Sequence, residues 1–312
     1  MLDGHFATLA PFVRHAILPA RAPAEPWQTT LQDPDVGPVH LTGLFREHPG
    51  ARNLLLVVHG LGGSVASHYT VPAARAAQSA GVSCLRLNLR GADLRGNDFY
   101  HAGLTADLRA AMAAVPSQYE NIYVLGYSMG GHLALRYAAE SPDPRVRAVA
   151  SVCAPLDLEL SAADFDRPVR AFYRWHVLSG LKAIYAAVGK RRRVHLPVET
   201  ALRVQKMRSW DALVVAPRFG FASAEDYYAR VSAAAALPLI ALPTLIVAAK
   251  ADPMIPEATL LPALRTSSPS IDLRWLTRGG HVGFPSDLDL GLPARRGLEP
   301  QILAWFDRLP SA

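Results

Sequence analysis

The chain has 312 residues, half of them hydrophobic and 19% charged, with a formal charge of +6. That much apolar material excludes a disordered or fibrous chain and suffices for one large α/β domain carrying an insertion. The positive excess is mostly arginine spread along the sequence, without the dense basic stripe or recognition module that nucleic acid would demand as a partner.

The two cysteines, Cys84 and Cys153, fall in apolar runs and read as buried free thiols, which suits a reducing cytoplasm. The N-terminal sequence lacks a basic stretch followed by an unbroken apolar one, and no later segment has about 18 uninterrupted apolar residues. The expectation is a cytoplasmic protein with neither signal peptide nor membrane span.

From about residue 53, short apolar runs alternate with helical patterns, the signature of parallel βα units. LLLVV at 54–58 reads as a buried strand, ending in the glycine-rich turn His59-Gly60-Leu61-Gly62-Gly63-Ser64. A helix follows to a stop at Gly81, then a strand at 83–89. The run 105–115 is an amphipathic helix with Thr105 as its N-cap. NIYVLGY is a strand leading into Ser128, MGGHLALRYAAES a helix, and RVRAVASVCAP a strand ending near Ala154. The alternation then stops for residues 156–240, a stretch rich in aromatics and helix formers. It resumes with strands at 244–250 and 271–277, and a helix at 299–309 closes the chain. A helical insertion between two strands of one sheet accounts for this pattern: residues 1–155 and 241–312 form the core and residues 156–240 a cap. The densest basic run, Lys190 to Arg193, has two readings, a solvated helix end or a contact for an anionic lipid surface.

Gly126-Tyr127-Ser128-Met129-Gly130 is a GxSxG pentapeptide set between an apolar strand and a helix, the context of a nucleophile elbow. Such a turn strains the serine backbone and crowds the positions two before and two after it, where glycine has no Cβ to clash. A serine hydroxyl needs a base within hydrogen-bond reach. Of eleven histidines, His281 follows the last strand through a glycine-containing loop able to reach back over the sheet. Asp252 follows the penultimate strand, where its carboxylate can hold the other imidazole nitrogen. Two donors for an oxyanion come from the backbone N–H groups of Leu61 and Met129. Asp157, just past another strand, is open to two readings, a helix cap or a rival acid. His59 reads as a packing residue, and His101 either lines the site or is held by backbone. No cluster has metal-ligand spacing, and no cofactor is implied.

The chain order Ser128, Asp252, His281 is that of the α/β-hydrolase fold, a mostly parallel sheet flanked by helices with a helical cap. The sequence also resembles the YheT-like branch of the α/β-hydrolases, related to the eukaryotic ABHD1/ABHD2/ABHD3 group. The resemblance spans nearly the whole chain. It lies in GHFATL near the start, RGADLRGN, Tyr100-His101-Ala102-Gly103, FGFASAEDYYARVSA, and RGGHVGF around His281. Where the family shows paired aspartates, this chain has Ala251-Asp252; the second carboxylate is retained. The resemblance implies an enzyme cleaving acyl esters or lipids through an acyl-enzyme on Ser128, and the apolar cap of limited length makes short to medium acyl chains the first expectation. Transfer of the acyl group to an alcohol, or ligand binding without catalysis, are the alternatives.

Overall fold

Strands that are apolar on both faces need helices on both sides, and the runs from Asn53 onward are of that kind. In the computed structural model, which describes residues 2–309, the strands are β1 (Glu25–Asp33), β2 (Gly37–Arg46), β3 (Asn53–Val58), β4 (Ser83–Asn88), β5 (Asn121–Tyr127), β6 (Val146–Val152), β7 (Thr244–Ala249) and β8 (Ile271–Leu276). They form one sheet in the order β1-β2-β4-β3-β5-β6-β7-β8. The β1–β2 and β2–β4 pairs are antiparallel and the rest parallel.

The helices are α1 (Leu2–Ile17), α2 (Thr70–Ser79), α3 (Ala106–Ala113) and α4 (Met129–Ala139), then α5 (Leu158–Phe165), α6 (Ala171–Gly189), α7 (Val198–Leu202), α8 (Met207–Trp210), α9 (Ala216–Arg218) and α10 (Ala224–Val231), and finally α11 (Glu257–Leu264) and α12 (Leu298–Asp307). Six of these, α5 to α10, lie between β6 and β7 in a stretch without strands. Successive side chains of β3 divide between two cores. Leu55 and Val57 pack with α2 and α12, while Leu54, Leu56 and Val58 pack with α3, α4 and the α5–α10 segment. No helix among the described residues is long and apolar enough to cross a membrane.

Every strand expected after residue 53 is present. The sheet also extends upstream, through a hairpin that sequence alternation from residue 53 did not cover. In β2, Val39 and Leu41 are buried at period two and the intervening residues are not. One expected cap is corrected: Thr105 precedes α3, but its hydroxyl donates to the Glu140 carboxylate at 2.8 Å and makes no cap bond. The Thr105 backbone is already helical, φ −65° and ψ −16°, rather than in the extended conformation a capping residue adopts, and its hydroxyl faces Glu140 instead of the first-turn N–H groups. Asp157 does cap α5, accepting the Leu160 N–H at 3.0 Å. Lys190–Arg193 lies at the largely exposed end of α6, and both cysteines are buried free thiols.

Candidate active site

Ser128 sits in the turn between β5 and α4 with φ 53° and ψ −121°, a conformation costly for any side chain and sustained only where the surroundings impose it. They do so by close backbone approach. A Cβ on Gly126 would lie 2.2 Å from the Gly130 carbonyl oxygen, and one on Gly130 would lie 2.4 Å from that of Val58. Glycine at both positions is therefore a steric requirement of this turn. Two of the other non-glycine residues with positive φ, Cys153 and Val282, lie beside the same site.

His281, in the loop after β8, brings Nε2 to 2.9 Å from Ser128 Oγ and Nδ1 to 2.9 Å from Asp252 Oδ2. Asp252 is just beyond β7. Its other oxygen accepts the N–H groups of Met254 and Ile255 at 2.8 and 2.9 Å. The carboxylate is thus fixed on one side and free to take the imidazole N–H on the other, which leaves Nε2 as the acceptor facing the serine hydroxyl. The three residues that the sequence singles out are brought together in one hydrogen-bonded chain at the carboxyl edge of the sheet.

The turn after β3 is held open by two tyrosines. Tyr69 Oη accepts the Gly60 N–H at 3.0 Å and Tyr100 Oη accepts the Gly62 N–H at 2.8 Å. Between them, the Leu61 N–H has no acceptor among the described residues, and neither has that of Met129. Both residues line the cavity into which Ser128 opens. His59, 0% exposed, donates to the Gly60 carbonyl and accepts the Leu89 N–H, so burial pushes its pKa down to about 4. It is a packing residue. His101 takes the Gly103 N–H and packs on Phe219 at the cavity wall, its pKa pushed to about 3 by burial.

Helix α1 supports the site without any local sequence signal for it. Thr8 Oγ1 accepts the His281 N–H at 2.8 Å, and glycines let the helix backbone touch the histidine loop. A Cβ on Gly280 would lie 2.2 Å from the Gly4 carbonyl oxygen, and one on Gly283 2.0 Å from that of Ala7. The GHFATL and RGGHVGF strings are thus two sides of one contact. Tyr100 was likewise missed, although its string was noted. Cys153, Asp252 and His281 have ligand-type atoms within 4.8 Å of one another. Asp252 and His281 are engaged with each other, and burial holds the Cys153 thiol well above its ordinary pKa, which disfavours the thiolate a metal would need.

The cavity holds about 520 Å³ and is mainly apolar, walled by residues of α1, the β3 turn and the α5–α10 segment. Residues 53–287 match the family described as alpha/beta hydrolase fold. The chain belongs to the α/β-hydrolase family. Within it, the relationship is to the YheT-like branch. "Putative esterase YheT" of Escherichia coli (strain K12) is 32% identical over 83% of this chain and 78% of its own length. A "Monoacylglycerol lipase" of Saccharomyces cerevisiae is 26% identical over 76% of this chain, which spans 56% of that relative. Among solved structures, this α/β-hydrolase superposes on the Pyrococcus furiosus esterase Pf2001 with a TM-score of 0.54 at 16% identity, covering 83% of this chain and 85% of the other. At that identity the likeness speaks for the fold alone.

Proposed function

We propose that this α/β-hydrolase is a serine carboxylic-ester hydrolase, with Ser128 as nucleophile, His281 as general base and acid, and Asp252 as the residue that orients it. The observation that carries the reading is the unbroken chain Asp252–His281–Ser128, both links 2.9 Å, ending at an oxygen on an apolar cavity. The esterase and lipase names of the relatives support the same class.

Ser128 Oγ attacks the acyl carbonyl as His281 Nε2 takes its proton, and the carbonyl oxygen, now negative, is met by the Leu61 and Met129 N–H groups. The imidazolium gives the proton to the leaving alkoxide, producing the alcohol and the acyl-enzyme. Water, deprotonated by His281, then cleaves the acyl-enzyme to the acid and restores Ser128. The helices of residues 156–240 act as a cap over the core of residues 1–155 and 241–312, shielding the acyl chain from bulk water. Short to medium acyl esters suit a cavity of this size. A panel of p-nitrophenyl esters of graded chain length tests the reading: hydrolysis with a maximum at short to medium chains is expected, and no turnover of any ester above background would refute it.

A further inference from the structure

Away from Ser128, the cavity wall supplied by α5, α8 and the turn after it is apolar, with Leu158, Phe165, Met207, Trp210 and Val215 facing in. Two polar side chains interrupt it. Asp211 opens a π-helical turn, Asp211–Val215, directly after α8; such turns recur at functional sites. Asp211 Oδ2 accepts the Tyr228 hydroxyl at 2.7 Å, while Oδ1 accepts nothing from the described residues. The neighbouring guanidinium of Arg208 lies over the Tyr228 ring and is paired with Glu159 and Glu225, so Asp211 forms no salt bridge among the described residues. Ser161, on α5, lines the same cavity and is 9% exposed; its Oγ is buried without a partner.

A buried carboxyl with one hydrogen bond and a buried hydroxyl with none both cost stability until a partner arrives. Holding α10 against the turn after α8 does not require the Tyr228–Asp211 bond, because two apolar side chains would make that contact and leave nothing unpaired. We propose that Asp211 and Ser161 form a recognition point for a hydroxyl group carried on the acyl chain of the ester. The proposal rests on the ester-hydrolase reading of Ser128. Burial, aided by Asp166 and opposed by Tyr228 and Arg208, pushes the Asp211 pKa up to about 7, so near neutral pH both its states are present: the ionised form repels a substrate carboxylate, and the neutral form gives an ammonium no counter-charge. A hydroxyl both donates and accepts, and so matches the carboxyl in either state.

The test compares p-nitrophenyl esters of one chain length at pH 7, unsubstituted or with a hydroxyl moved stepwise along the acyl chain. One hydroxyl position is expected to raise kcat/KM about tenfold over the plain ester, mainly through KM. Asp211→Leu should remove or reverse that preference. Ser161→Ala, which leaves the Tyr228–Asp211 bond in place, should reduce it several-fold, and it decides the matter if Asp211→Leu does not fold. Equal kcat/KM at every hydroxyl position, or a preference untouched by Ser161→Ala, overturns the proposal while leaving the ester-hydrolase reading intact. An aminoalkyl ester preferred over every hydroxylated one also overturns it. Absence of Ser128-dependent hydrolysis of the plain ester removes both.

Discussion

Two buried clusters of charged and polar side chains lie in this molecule, and they are built to different ends. In one, Arg90 and Arg218 are 1% and 9% exposed and share Asp33 and Asp98, while Asp107 pairs with Arg90 (2.7 Å from Nη2) and Asp35 with Arg218, whose Nη2 is 2.7 Å from Asp98. This cluster ties the β1–β2 hairpin, the loop after β4, α3 and α9 together. In the other, Asp252, His281 and Ser128 form a single chain. Each guanidinium of the first cluster is spent on several carboxylates. The second ends at a hydroxyl oxygen that opens to a cavity. Burial and charge are common to both; what separates them is a reactive atom left accessible.

That contrast is broken most sharply by a pair of isosteric changes. Asp252→Asn should cut kcat by about 10⁴, the cost of the same change in a Ser-His-Asp triad on another fold, with little change in melting temperature. A steady-state assay alongside thermal denaturation checks this. Asp98→Asn should do the reverse: removing a carboxylate shared by two buried arginines should cost about 3–5 kcal/mol of stability, while kcat of the folded fraction stays within a few-fold of wild type. If Asp98→Asn instead abolished turnover in folded protein, the division into a structural and a catalytic cluster would be wrong.

The same contrast explains what could be read from the sequence. Ser128, Asp252 and His281 were legible because each follows an apolar strand and one stands in GxSxG, so local pattern fixes their place at one edge of the sheet. Asp157 was legible as a cap because it immediately precedes the helix it caps. The ion cluster was not: Asp33 and Arg218 lie 185 positions apart, and nothing local says that a hairpin aspartate meets an arginine from α9. The part played by α1 was hidden for the same reason. The Gly4–Gly280 and Ala7–Gly283 contacts are backbone approaches across nearly the full chain, visible in the sequence only as unexplained strings of the family resemblance. Thr105 misled because a helix-capping residue type stood at the right position, but its backbone is helical and its hydroxyl is turned to Glu140.

The supporting contacts predict smaller effects. Gly280→Ala forces a Cβ against the Gly4 carbonyl and should displace His281, lowering kcat/KM by about 10²-fold, whereas Asp157→Asn should leave activity intact and cost at most about 1 kcal/mol of stability at α5. Acid should also weaken the fold. His59 and His101 stay neutral when folded, with pKa values pushed to about 4 and about 3, but take up a proton when unfolded below about 6.5. As pH falls from 7 to 5 each therefore removes roughly 1–2 kcal/mol of stability. Asp211, with its folded pKa pushed up to about 7, works in the opposite sense, because the folded carboxyl gains a proton that the unfolded one does not. Asp211→Asn should consequently steepen the loss between pH 7 and 5, as measured by urea denaturation at the two pH values.

Covalent labelling decides the assignment of Ser128 as the nucleophile. A fluorophosphonate probe, followed by digestion and mass spectrometry, should place the adduct on Ser128 Oγ, and Ser128→Ala should abolish both the adduct and ester turnover while the protein remains folded. Stoichiometric labelling of another serine, or ester hydrolysis that survives Ser128→Ala, would contradict it.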